Sequence, residues 1–140
     1  MQKTILTLVC ILSSFLIQAQ DSNKFSVTVQ ITGMKSDKGN VYVALYNAEK
    51  DFLKKPFKGD IVVVKNKKAT AVFKNIKNGV YAISVFHDTN ENKKMDTNFL
   101  GIPKEPTGMS NNAKAFMGPP KFKDAKFIVD KNRILSIKVK

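Results

Sequence analysis

The stretch His87 to Asp96, HDTNENKKMD, carries oxygen-bearing side chains at Asp88, Asn90, Asn92 and Asp96 with little apolar material between them. Hard cations such as Ca²⁺ gather six to eight oxygens from carboxylates, amide carbonyls, backbone and water. With Asp88 as position 1 of an EF-hand-type loop, Asn90 falls at 3, Asn92 at 5, the Lys94 backbone carbonyl at 7 and Asp96 at 9. Position 12 is Phe99 rather than a bidentate Glu, and position 6 is Lys93 rather than Gly. Glu105 becomes a further ligand if the segment after the loop folds back. Two carboxylates beside Lys93 and Lys94 predict weak affinity, about 10⁻⁴ to 10⁻³ M for Ca²⁺. The same composition also serves a structural turn. Asp and Asn bond their own backbone in Asx-turns and tolerate left-handed φ.

His87 is the single histidine. Strand alternation puts it on the face of Tyr81, Ile83 and Val85, with Asp88 pointing the other way. It is read either as a rim-of-core histidine bonded to a loop carbonyl, or as a ligand or acid/base group under the long loop. Ser110, Asn111 and Asn112 are further binding candidates in that loop. The motifs of the common hydrolases are missing. GMSNN is not a Gly-x-Ser-x-Gly elbow, and no His-Glu-x-x-His or Cys-x-x-Cys occurs. No catalytic residue is therefore assigned. A hydrolase using His87 and Glu105 in a cleft under residues 97–120 is kept as an alternative.

The elements that must position these residues are mostly strands. FSVTVQIT alternates apolar Phe25, Val27, Val29 and Ile31 with polar Ser26, Thr28, Gln30 and Thr32, the pattern of a half-buried strand. VYVALYN is a second strand. AEKDFLKKPF breaks the period and predicts one short helix near 48–56, ended by Pro56. DIVVVKN and KATAVFKN predict a hairpin around Asn66 and Lys67. Asn78 and Gly79 give a turn signal, and VYAISVF runs from it into the polar loop. AKFIVD and ILSIKVK form two closing strands around Lys131 and Asn132. The expected fold is all-β: one antiparallel sandwich of about seven strands. Residues 97–120 contain no convincing element. Their Phe99, Leu100, Ile102, Met109, Phe116 and Met117 predict a loop packed on the domain.

The first residues combine Lys3, the apolar run TILTLVCILSSFLI and the small residue Ala19. That is the pattern of a secretory signal peptide over 1–19, leaving one domain over 20–140 and no integral membrane segment after cleavage. Cys10 is the sole cysteine, so an exported chain has no internal disulfide. The expected location is periplasmic, outer-envelope or extracellular. Net charge is +13, or +12 once Lys3 is subtracted, and Arg133 is the sole arginine. Sequence-specific nucleic-acid readers rely on the planar guanidinium, so no specific nucleic-acid partner is expected. The lysines suit a solvated surface, or attraction to an anionic cell-surface polymer or lipid headgroup.

FKNIKNGVYAISVFHD resembles the strand–turn–strand of prealbumin-like and carboxypeptidase-regulatory-like β-sandwiches, through Phe73, Ile76, Gly79 and Tyr81. VYVALYNAEKDF, GVYAISVFHDTNENKKMDTNFLGIPKEPTGMSNNA and GPPKFKDAKF together resemble domain-of-unknown-function family 2141, small exported bacterial proteins. The resemblance implies a secreted β-sandwich and no established activity. The family's loop reads Asp-x-Asn-Gly-Asn-Gly, and Glu91 and Lys93 replace the two glycines here. The expected function is an exported, non-catalytic binding or envelope-associated module of unknown ligand. A purely structural envelope protein is a further alternative.

Overall fold

The computed structural model describes residues 23–140. The predicted signal peptide over 1–19, with Cys10, lies outside the described residues. The chain folds as β1 (Lys24–Thr32), β2 (Asn40–Tyr46), β3 (Lys58–Val63), β4 (Lys68–Lys77), β5 (Gly79–Asp88), β6 (Thr107–Met109), β7 (Phe127–Val129) and β8 (Arg133–Lys138). One sheet has the order β4-β1-β8, and the other β3-β2-β5-β6, with β7 also paired to β5. β1 runs antiparallel to β4 and parallel to β8, so the sandwich is not wholly antiparallel.

Alternation explains the core. Val27, Val29 and Ile31 of β1 meet Val41, Val43 and Leu45 of β2 and Ile83 and Val85 of β5 between the sheets. Each fully buried aliphatic side chain contributes about 1.5–3 kcal/mol relative to exposure. Tyr81 packs in the same layer, and its hydroxyl donates to the Lys77 carbonyl at 3.0 Å. That bond pins the corner where the chain leaves β4 for β5. The four residues of the sandwich-like motif thus share one physical job. Phe73, Ile76 and Tyr81 fill the core, and a Cβ on Gly79 would press within 3.2 Å of the Tyr81 ring.

Three local expectations need correction. The predicted short helix near 48–56 is a single 3-10 turn over Glu49–Asp51, and the α-helical turn is α1 (Phe122–Ala125). The Asn66–Lys67 turn forms, both residues at positive φ, and the Asp37 carboxylate accepts both their N–H groups at 2.9 and 2.7 Å. Beyond the Lys65–Lys68 bridge, however, the chain changes sheets, with β3 pairing β2 and β4 pairing β1. The two closing strands form where expected and join different sheets, β7 to β5 and β8 to β1. Last, the long segment is not structureless: it supplies β6 and a 3-10 turn over Ser110–Asn112.

Candidate functional site

β5 has two dissimilar faces. Tyr81, Ile83, Val85 and His87 point into the core, while Ala82, Ser84, Phe86 and Asp88 point outward. His87 is fully buried, and its Nε2 lies 2.7 Å from the Lys38 carbonyl. A carbonyl only accepts, so Nε2 carries the proton, and Nδ1 is buried without a partner. Gly39 makes this approach feasible, since a Cβ there would strike the Asp88 carbonyl.

The outward face begins at the polar loop. Asp88 accepts the N–H groups of Asn92 and Lys93 at 3.2 and 2.8 Å. Asn90 donates to Asp96 at 2.6 Å, and Asn92 donates to both Asp96 oxygens at 2.9 Å. Asn92 in turn accepts the Lys94 N–H at 3.1 Å. Glu91 and Lys93 stand at φ 61° and 66°, the left-handed conformation that glycine adopts without steric cost. Glu105 folds back onto the loop, accepting the Asp96 N–H at 3.3 Å through Oε2. Its Oε1 is buried with no hydrogen bond.

Burial and hydrogen bonding divide the two acids. Burial pushes the Glu105 carboxyl above the usual range, against the backbone amides of Asp96 and Thr89, and the Asp88 and Asp96 charges raise it further. Asp96 moves the other way. The Asn90 and Asn92 amides hold its carboxyl below the usual range, helped by Lys94 and Lys104. Among the described residues, no group of three or more His, Cys, Asp or Glu side chains is placed to hold a metal ion. A cation here would have to draw on the amide and backbone oxygens as well.

Beyond the loop the outward face opens into a groove of about 1520 Å³. Its floor includes Tyr42 and Phe86, which are stacked with ring centroids 4.8 Å apart and 12° between planes. Pairing sets Ile61, Tyr42, Phe86 and Thr107 in one cross-strand row, and Gly59, Ala44, Ser84 and Met109 in the next. The small residues of the second row create the depth. At the far end Tyr46, Phe52, Ala82, Met109 and Ala125 close a minor core. Tyr46 and Ser84 share a hydrogen bond of 3.2 Å, and burial raises the Tyr46 hydroxyl despite that bond.

One wall is a finger over residues 97–103, closed by a Thr97–Pro103 bridge and capped by Asn98, whose side chain accepts the Leu100 and Ile102 N–H groups. The finger is rooted in the polar loop, because the Lys104 N–H donates to the Asp96 carbonyl. The large apolar residues of 97–120 were expected to pack down, and all but Met109 are exposed. Phe99 and Met117 are each 95% exposed, and Leu100, Ile102 and Phe116 are also exposed. Of the six apolar residues singled out there, Met109 alone is buried.

The remaining candidates are structural stitches. Ser110 Oγ accepts the Ile83 N–H at 2.9 Å and donates to the Ala125 carbonyl at 2.5 Å. Asn111, at φ 58°, donates to the Lys126 carbonyl at 2.8 Å, and Asn112 accepts the Lys138 N–H at 3.4 Å. Glu105 lines the groove and His87 does not, so the pair does not share one cleft. The outward face of β2 and β5, groove floor and minor core together, is the residue set that motif reading passed over. Tyr42, Ala44, Tyr46, Ala82 and Phe86 are apolar or amphipathic where a solvated strand face calls for polar residues. A strand apolar on both faces is covered on both, which was the available signal.

The family model described as "uncharacterized protein conserved in bacteria (DUF2141)" matches residues 29–136, and the chain belongs to that family. No curated protein and no solved structure matches the chain.

Proposed function

We propose that this family member is an exported, non-catalytic binding module whose ligand lies in the groove on the outward face of the five-stranded sheet. The groove carries the reading: an aromatic floor, a small-residue trough and an apolar finger leave a concave apolar surface. Ligand sites are typically concave and largely apolar, with a few placed polar groups. Absence of catalysis is supported by the separation of His87 from Glu105 and by the engaged Ser110 hydroxyl. Export rests on the leader pattern over 1–19 and places the module in the periplasm, outer envelope or medium. Neutral Nile red tests the groove. Its emission should rise with the purified protein and be lost in Ala44→Trp, which fills the trough. Equal emission from both, with Ala44→Trp melting like the parent, would sink the reading.

The same module takes Ca²⁺ weakly at the loop, through Asp88, Asn90, Asn92, the Lys94 carbonyl, Asp96 and Glu105. Support comes from the buried Glu105 Oε1, which has no hydrogen bond and lies within the field of the Asp88 and Asp96 charges; the three carboxylates are not placed as a ligand cluster, so amide and backbone oxygens complete the set. Turning the Asn90 and Asn92 amides over would exchange N–H donors for oxygens facing Asp96. At ten times its dissociation constant, Ca²⁺ adds roughly 1.4 kcal/mol, a few degrees of melting temperature. Mg²⁺ should add less, since it demands a tight octahedron. Asp88→Ala and Asp96→Ala should each abolish the shift, and Lys93→Gly should enlarge it. An identical melting temperature in calcium and in chelator, for parent and Lys93→Gly alike, would leave the loop as an Asx-turn scaffold.

A further inference from the structure

We infer that the groove takes a single-chain anionic amphiphile, its hydrocarbon chain on the Tyr42–Phe86 floor and its head group against Lys114, Lys138 and Lys140. The inference rests on the groove being the ligand site and adds the ligand's chemistry. The floor demands an apolar partner. Tyr42 and Phe86 form a continuous ring surface, and Ala44 and Gly59 leave room for a chain beside it. Ile61, 58% exposed, extends the apolar strip along β3.

The rim supplies the sign of the head group. The charged side chains lining the groove are Asp60, Glu105, Lys114, Lys138 and Lys140. Asp60 stands apart from the lysines, whereas Glu105, two residues before Thr107, lies on their side of the groove. Sheet order puts Asp60 on the β3 edge, while Lys138 and Lys140 belong to the β8 end beside β6. The Lys140 backbone exchanges two hydrogen bonds with Thr107, and the Lys138 N–H reaches Asn112, which fixes this lysine-bearing edge to the groove wall. Glu105 is committed to the polar loop through Asp96. One end of the groove therefore offers ammonium groups beside a hydrocarbon-lined floor. A carboxylate or similar anion on a flexible alkyl chain satisfies both. A polyanion without a hydrocarbon part would leave the floor unused.

Displacement of Nile red by three dodecyl compounds, each below its aggregation concentration, tests the head group. Dodecanoate should displace the dye at about tenfold lower concentration than dodecanol, the scale of one charge-assisted hydrogen bond. Dodecyltrimethylammonium should be the weakest. The double variant Lys138→Glu, Lys140→Glu, and separately Lys114→Glu in the loop, should bring dodecanoate towards dodecanol while Nile red itself still binds. Equal displacement by all three compounds would overturn the anionic head group and leave the groove standing. Failure of Nile red to bind the parent would instead remove the groove. Binding to phosphatidylglycerol vesicles without displacement by monomeric dodecanoate would also overturn the proposal, because the exposed Phe99, Phe116 and Met117 would then be docking on a bilayer.

Discussion

The two faces of β5 follow different rules. The inward residues Tyr81, Ile83, Val85 and His87 are uniformly buried in one packed layer. The outward residues serve three purposes in turn: Ala82 closes a minor core, Ser84 and Phe86 floor the groove, and Asp88 roots the polar loop. A single strand therefore spends one face on stability and the other on a site. The comparison teaches that substitutions one residue apart should separate folding from binding.

The widest separation should come from Ile83→Ala against Ser84→Ala. The first opens a cavity in the main core and should cost about 2–5 kcal/mol. The second should cost less than about 1 kcal/mol, because Ser84 is half-buried with one shared bond. Urea midpoints with unchanged slopes would check both, and equal losses would break the comparison. Ser110→Ala blurs the faces, since Ser110 is anchored to β5 from the groove wall. It leaves the Ile83 N–H and the Ala125 carbonyl unpartnered and should cost about 1–3 kcal/mol.

A pH series sharpens the outward end. Glu105 has a raised carboxyl, so it favours folding below its unfolded value and loses that contribution as pH rises through the folded one. Glu105→Gln in chelator should therefore melt above the parent at neutral pH, with the gap closing on acidification. Asp96 has the opposite sign: its contribution is present above its unfolded value and fades as pH falls through the folded one. A parent and Glu105→Gln that track each other at every pH would contradict this. The smallest effect belongs to Glu91→Gly in chelator. Relief of the left-handed backbone, about 1 kcal/mol, is largely offset by glycine's freedom in the unfolded chain. A rise of a degree or less, on the order of a few tenths of a kcal/mol, is the expected readout.

Much of this was legible in the order of residues. Alternation located β1, β2 and β5 and put His87 and Asp88 on opposite faces. Glu105 was a candidate to fold back onto the loop, and the family resemblance marked Glu91 and Lys93 as standing where that loop has glycines. Sheet membership was not legible. A two-residue turn looks the same whether its strands pair or part, and the Asn66–Lys67 turn parts them at a corner between sheets. β6 has three residues, one of them Gly108, which is too short to show a period. The trough escaped notice because Gly59, Ala44 and Ser84 lie far apart in sequence and become neighbours through strand register alone.

The parallel pairing of β1 with β8 bears on how the chain reaches this state. Ser26 donates to the Asn132 side chain across 106 residues, and the register from Val27–Arg133 to Thr32–Lys138 follows from there. β1 is the middle strand of its sheet, so that sheet stays half-made until the far end of the chain arrives. Such distant pairings carry a loop-closure cost before they return any contact energy, and they place β-sandwiches among the slower folders, at milliseconds to seconds. A chain emerging amino end first would hold β1 against β4 alone, with its other edge unpaired, until the last strand followed.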